Sequence, residues 1–151
     1  AVERNVAPWE ISRVPSEGVI FFDAPAQSIT PQGLIPFTFE HGATWYQVDE
    51  ARDNRKINAD GTGWYAYANN GLLFVKRFDD LGPTCPAPQE AEIQVYVNAG
   101  KTYIELEAQG AYTSLKPGEV LSWTSRWYLL PQDTDNTPSQ VLADLVGTVV
   151  K

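Results

Sequence analysis

From Ala91 to Pro131 apolar and polar residues alternate with a period of two, which an extended chain converts into two distinct faces and a helix would scatter around its circumference. Ile93, Val95 and Val97 fall on one side of a first segment, and Glu92, Gln94 and Tyr96 on the other. Asn98-Ala99-Gly100 turns the chain. In the next segment Thr102, Ile104, Leu106 and Ala108 point one way and Lys101, Tyr103, Glu105, Glu107 and Gln109 the other. Lys116-Pro117-Gly118-Glu119 carries Pro and Gly where a type II turn wants them, and predicts a third, long strand over Val120–Leu130. On that strand Trp123 and Trp127 share the apolar face with Leu121 and Leu129, and Arg126 lies with Tyr128 on the polar face. The pattern predicts antiparallel strands with one buried and one polar face.

The remaining residues frame this unit. Trp9–Val14 and Val19–Phe22 predict strands, the second apolar throughout and so buried on both faces. Leu34–Glu40 and Thr44–Val48 predict a hairpin around His41-Gly42. Asn58 to Gly63 predicts a turn, followed by the strand Trp64–Ala68. Asn69-Asn70-Gly71 is the strongest hairpin signal, because Asn-Gly readily takes positive φ at both central positions, and Leu72–Phe78 is its partner strand. Asp23–Gly33 and Asp79–Gln89 are long loops of the kind that cover or build sites. Thr137-Pro138 marks a helix start, and Val141, Leu142, Leu145, Val146, Val149 and Val150 follow helical spacing. With 151 residues and 43% hydrophobic content, the expected fold is all-β: an antiparallel β-sandwich with one short C-terminal helix, in one domain over 1–151.

A net charge of −8 repels a phosphate backbone and an anionic bilayer, so neither nucleic acid nor a membrane is an expected partner. Cys85 is the single cysteine, which excludes an intrachain disulfide. No cofactor or metal is expected: Asn58-x-Asp60-Gly61 opens like a calcium loop but lacks the Glu that closes one. His41, the lone histidine, reads as a turn residue. Glu105 and Glu107, flanked by Tyr103 and Gln109, have two readings: a sugar or cation site, or a solvated sheet face. Tyr96, Tyr103 and Tyr128 fall on polar faces and are the aromatic ligand candidates, and Arg126 is placed to pair with Glu105 or Glu107.

The runs Ile93-Gln94-Val95-Tyr96, Leu106-Glu107-Ala108-Gln109 and Leu115-Lys116-Pro117-Gly118-Glu119, closed by Trp127-Tyr128, resemble the C-terminal part of the galactose mutarotase (aldose 1-epimerase) superfamily. Glu105-Leu106-Glu107, Arg126-Trp127-Tyr128, Trp9 to Pro15 and Gly18 to Phe22 are similar to an uncharacterised bacterial branch of it. The resemblance implies half of a mutarotase-like supersandwich and makes Glu107 the catalytic base of an epimerase. The histidines that assist ring opening in that superfamily have no counterpart here. Three functions are therefore expected alternatives. One is a carbohydrate-recognition domain built on Glu105, Glu107, Gln109, Tyr96, Tyr103 and Arg126; the second is an aldose 1-epimerase with Glu107 as base; the third is an assembly subunit. Open sheet edges imply a homo-oligomer or a partner half-domain. The absence of any methionine suits a processed chain, and the expected location is periplasmic or secreted.

Overall fold

A computed structural model describes residues 2–151. In chain order the strands are β1 (Arg4–Val6), β2 (Trp9–Pro15), β3 (Val19–Phe22), β4 (Ile29–Thr30), β5 (Thr38–Glu40), β6 (Ala43–Gln47), β7 (Arg55–Ala59), β8 (Trp64–Asn69), β9 (Leu72–Arg77), β10 (Ile93–Val97), β11 (Tyr103–Gln109), β12 (Thr113–Leu115) and β13 (Arg126–Pro131). One helix, α1 (Gln140–Gly147), follows. Two antiparallel sheets form a β-sandwich. One has the order β2-β11-β10-β7-β4 and the other β13-β9-β8-β3-β6-β5, with β1 and β12 as a separate ribbon.

The alternation read from the sequence fills the space between the sheets. Ile93, Val95, Val97, Ile104, Leu106 and Ala108 meet Ile20, Phe22, Tyr65 and Tyr67 there. Val19–Phe22 is buried on both faces as expected, because β3 is central. Its other side, Val19 and Phe21, joins Trp45, Ala66, Leu73 and Val75 in a second cluster that α1 closes with Leu142 and Val146. Each of those two helix side chains contributes roughly 2 kcal/mol by leaving water. Ser139, rather than Thr137, caps α1, its Oγ accepting from the Leu142 N–H at 3.3 Å. The two shortest hairpins turn on positive φ: His41 (52°) with Gly42 (72°), and Asn70 (48°) with Gly71 (75°).

Buried polar groups tie the two sheets together. Lys76 points inward from β9 with no exposed surface, pairs with Glu10 of β2, and lies 4.6 Å from the Trp127 ring centre. Tyr65 donates its hydroxyl to the Leu106 carbonyl at 3.1 Å, and Tyr67 donates to that of Pro15 at 2.8 Å.

Several expectations are corrected. The strand expected over Val120–Leu130 is confined to Arg126–Pro131, and residues 120–125 are irregular. Trp123 turns back onto Gly110, where a Cβ would stand 2.6 Å from its ring. Trp127 and Leu129 are 59% and 62% exposed instead of buried, since β13 is the outermost strand of its sheet. Arg55–Ala59 is strand where a turn from Asn58 was expected, because β7 completes the sheet beside β10. The first hairpin strand begins at Thr38 rather than Leu34.

Candidate functional site

The solvent-facing side of the five-stranded sheet collects most of the residues singled out from the sequence. Register decides the grouping. Across β2, β11, β10 and β7, one row runs Arg13, Glu105, Tyr96, Lys56, and the next Ile11, Glu107, Gln94, Asn58. Because directly opposed residues share a face, both rows lie on the polar side.

In the first row the Arg13 guanidinium donates to Glu105 Oε1 at 2.8 Å and sits 4.0 Å above the Tyr103 ring. Tyr103 and Tyr96 lie 6.1 Å apart, and both hydroxyls accept from Asn98 Nδ2, at 3.1 and 3.2 Å. In the second row the Glu107 side chain is 2% exposed. Its Oε2 accepts from Lys56 Nζ at 2.8 Å and from Trp9 Nε1 at 2.9 Å, while Lys56 also approaches the Trp9 ring face at 5.1 Å. Trp9 itself remains 54% exposed. Glu105 and Glu107 are thus each matched by a cation in a chain of net charge −8.

Gln94 and Asn58 extend the second row beneath the segment 79–91. Gln94 donates Nε2 to the Ala91 carbonyl at 3.1 Å, and Asn58 donates Nδ2 to that of Gln89 at 3.2 Å. Those bonds fix which end of each amide is oxygen. Gln94 Oε1 and Asn58 Oδ1 are both buried, and neither has a donor among the described residues. Such buried acceptors without a protein donor are uncommon.

Two of the predicted site residues play other parts. Gln109 is buried; its Oε1 accepts from the Ala87 N–H at 2.8 Å and its Nε2 donates to Glu90, so it fastens the segment 79–91 down. Arg126 lies on the other sheet, at its edge, opposite Arg77. The expected pairing of Arg126 with Glu105 or Glu107 is therefore replaced by Arg13 and Lys56, because β13 pairs with β9 and not with β11. His41 occupies a turn at the far edge of the six-stranded sheet, away from both glutamates in the strand order.

Sequence reasoning did not single out Trp9, Arg13, Lys56, Gln94 or Asn58 as a group. Trp9, Ile11 and Arg13 were legible as one face of the first long strand. Asn58 was hidden by the turn read from it to Gly63, and Lys56, just before that turn, was assigned to no strand. Burial shifts one neighbour strongly: Glu92, at the foot of this sheet, is pushed up to about 7 by loss of hydration, against the opposing pull of N–H donors from Leu81 and Gly63. Among the described residues no group of three or more His, Cys, Asp or Glu is arranged to hold a metal ion, and no helix is long and apolar enough to cross a membrane. Compared with known proteins, the chain matches no family model, no curated protein and no solved structure.

Proposed function

We propose that the outer face of the five-stranded sheet is a carbohydrate-recognition surface. The observation that carries this reading is an aromatic and polar face on which Glu105 and Glu107 are each paired with a cation. Trp9, the most exposed of its rings, offers a ring face to sugar C–H groups with Tyr96 on the same side of the sheet, while Arg13 and Lys56 offer donors held in place by Glu105 and Glu107. A neutral, hydroxyl-rich ligand suits such a surface better than an ion of either sign. Trp9 and Arg13 stand four residues apart on β2, about 13 Å at the rise of a strand, a span that fits an oligosaccharide better than a single ring. The resemblance to the mutarotase superfamily, residue by residue at Glu107 and Gln109, points to the same ligand class.

Epimerisation is the weaker reading. A base at Glu107 would have to leave Lys56 and Trp9, and the only histidine lies on the other sheet. Ring opening without a second proton-transfer group forfeits roughly a hundredfold or more in rate.

Titration calorimetry with neutral mono- and oligosaccharides, backed by tryptophan fluorescence, tests the proposal. Binding that is weakened about tenfold in Trp9→Ala and reduced in Glu107→Gln is the expected outcome. A glycan array and titrations that detect no binding by the intact chain would refute it. Polarimetry on an aldose anomer separates recognition from catalysis.

A further inference from the structure

The six-stranded sheet ends in two edges whose chemistry matches. β13 presents Trp127, 59% exposed, and beside it Arg126, with Arg77 as the neighbouring charge on β9. β5, at the opposite end, presents Phe39, 53% exposed, and beside it Glu40. Both strands lie at the ends of the order, so among the described residues each has one unpaired side.

We propose that a second copy of this chain docks head to tail, the free edge of β13 pairing with the free edge of β5 of the next copy, so that the sheet continues between molecules. Three independent features of the fold agree. The first is direction: every neighbouring pair in the sheet is antiparallel, and six strands so arranged leave β13 and β5 running oppositely. Two copies placed side by side in the same orientation therefore make an antiparallel junction.

The second is register. Trp127, Lys76, Tyr65, Phe22, Thr44 and Phe39 are successive partners along a single row that crosses the whole sheet. Extending that row into a neighbour sets Trp127 opposite Phe39. Arg126 then falls opposite Glu40, and Tyr128 opposite Thr38: an aromatic pair, an opposite-charge pair and a polar pair, the combinations that stabilise antiparallel strands.

The third is hydrogen-bond phase. The two-residue turns at His41-Gly42 and Asn70-Gly71 close on the hydrogen-bonded pairs Glu40–Ala43 and Asn69–Leu72. Alternation from those pairs turns the main-chain N–H and C=O of Phe39, and of Trp127, toward the free edges. Two hollows that Phe39 helps to line, one with Ala24 and Thr44 and one with Ile35 and Phe37, leave room for the neighbour's apolar side chains.

Charge selects this partner over a two-fold pairing of β13 with itself, which would bring two basic edges together. The two surfaces differ, so the contact is heterologous and repeats into a chain or closes into a ring. β5 is short, so the assembly forms with rising concentration and dissolves with salt. The proposal stands independently of the carbohydrate reading.

Sedimentation velocity on the intact chain across a dilution series at low salt tests it. The expected result is an average mass that rises above the 16.8 kDa monomer with concentration. Arg126→Glu and Glu40→Arg should each stay monomeric, with circular dichroism and unfolding midpoints confirming the fold. An equimolar mixture of the two variants should assemble, since each supplies the edge the other lacks. A wild-type chain that stays monomeric up to millimolar concentration overturns the proposal, as does a mixture that fails to assemble. Undiminished assembly of Glu40→Arg would do the same and would point to β13 pairing with itself.

Discussion

Replacing Glu92 by Gln should remove a pH dependence built into the foot of the five-stranded sheet. The Glu92 side chain is fully buried, accepts from the N–H of Gly63 at 3.0 Å and of Leu81 at 2.6 Å, and pairs with no cation among the described residues. Lost hydration is the largest influence, Asp80 adds repulsion, and together they outweigh the two N–H donors, raising the carboxyl from 4.5 to about 7. The folded state therefore holds this proton more tightly than the unfolded chain does. The stability Glu92 contributes is full below the unfolded value and is lost as pH rises through the folded one. A difference of about 2.5 pH units corresponds to about 3 kcal/mol. Gln stays neutral throughout, so the stability of wild type minus that of Glu92→Gln should fall by about 3 kcal/mol between about pH 4.5 and about pH 7.5. In thermal unfolding the same change is about 6 to 12 °C for a chain of this size. Urea unfolding of both proteins over that range measures it, and the subtraction cancels groups with the opposite trend, such as Asp49 beside Arg55. A difference that stays flat with pH would refute the reasoning; one that grows would mean that the Gly63 and Leu81 donors win over burial.

Lys76→Met leaves the Glu10 carboxylate half-buried without its cation and should cost about 3 to 5 kcal/mol, most of it recovered when Glu10→Leu is added; equal losses in single and double variants would contradict this. Gly63→Ala combines a φ of +76° with a Cβ 2.5 Å from the Phe78 carbonyl and should destabilise by about 2 to 3 kcal/mol in urea. Gly82→Ala, in the segment 79–91 and facing open space, should be neutral. Trp9→Ala should weaken sugar binding about tenfold, about 1.4 kcal/mol, whereas Arg126→Ala should leave it unchanged in the same calorimetric titration.

Much of the site was legible because it rests on a period of two. The alternation from Tyr103 to Gln109 placed Glu105 and Glu107 on one polar face, and the fold keeps them there. What surrounds them was not legible. Arg126 was the expected partner of Glu105, and only the choice of β2 as the neighbour of β11 brings Arg13 there instead. Strand pairing is a contact between residues far apart in the chain, and no local pattern encodes it. Asn58 escaped for a different reason: Asn58 to Gly63 has turn composition, and pairing with β10 overrides it up to Ala59.

The sequence alone determined that this chain is built from antiparallel strands, where its tight turns fall and which short segment becomes helix, since alternation, Asn-Gly turns and helical spacing act over a few residues. Only the tertiary structure decided which sheet each strand joins. That assignment buries Lys76 against Glu10, withdraws Arg126 from the glutamates, and leaves Trp127 and Phe39 at open edges, because burial and charge pairing are settled by neighbours across the sheets rather than along the chain.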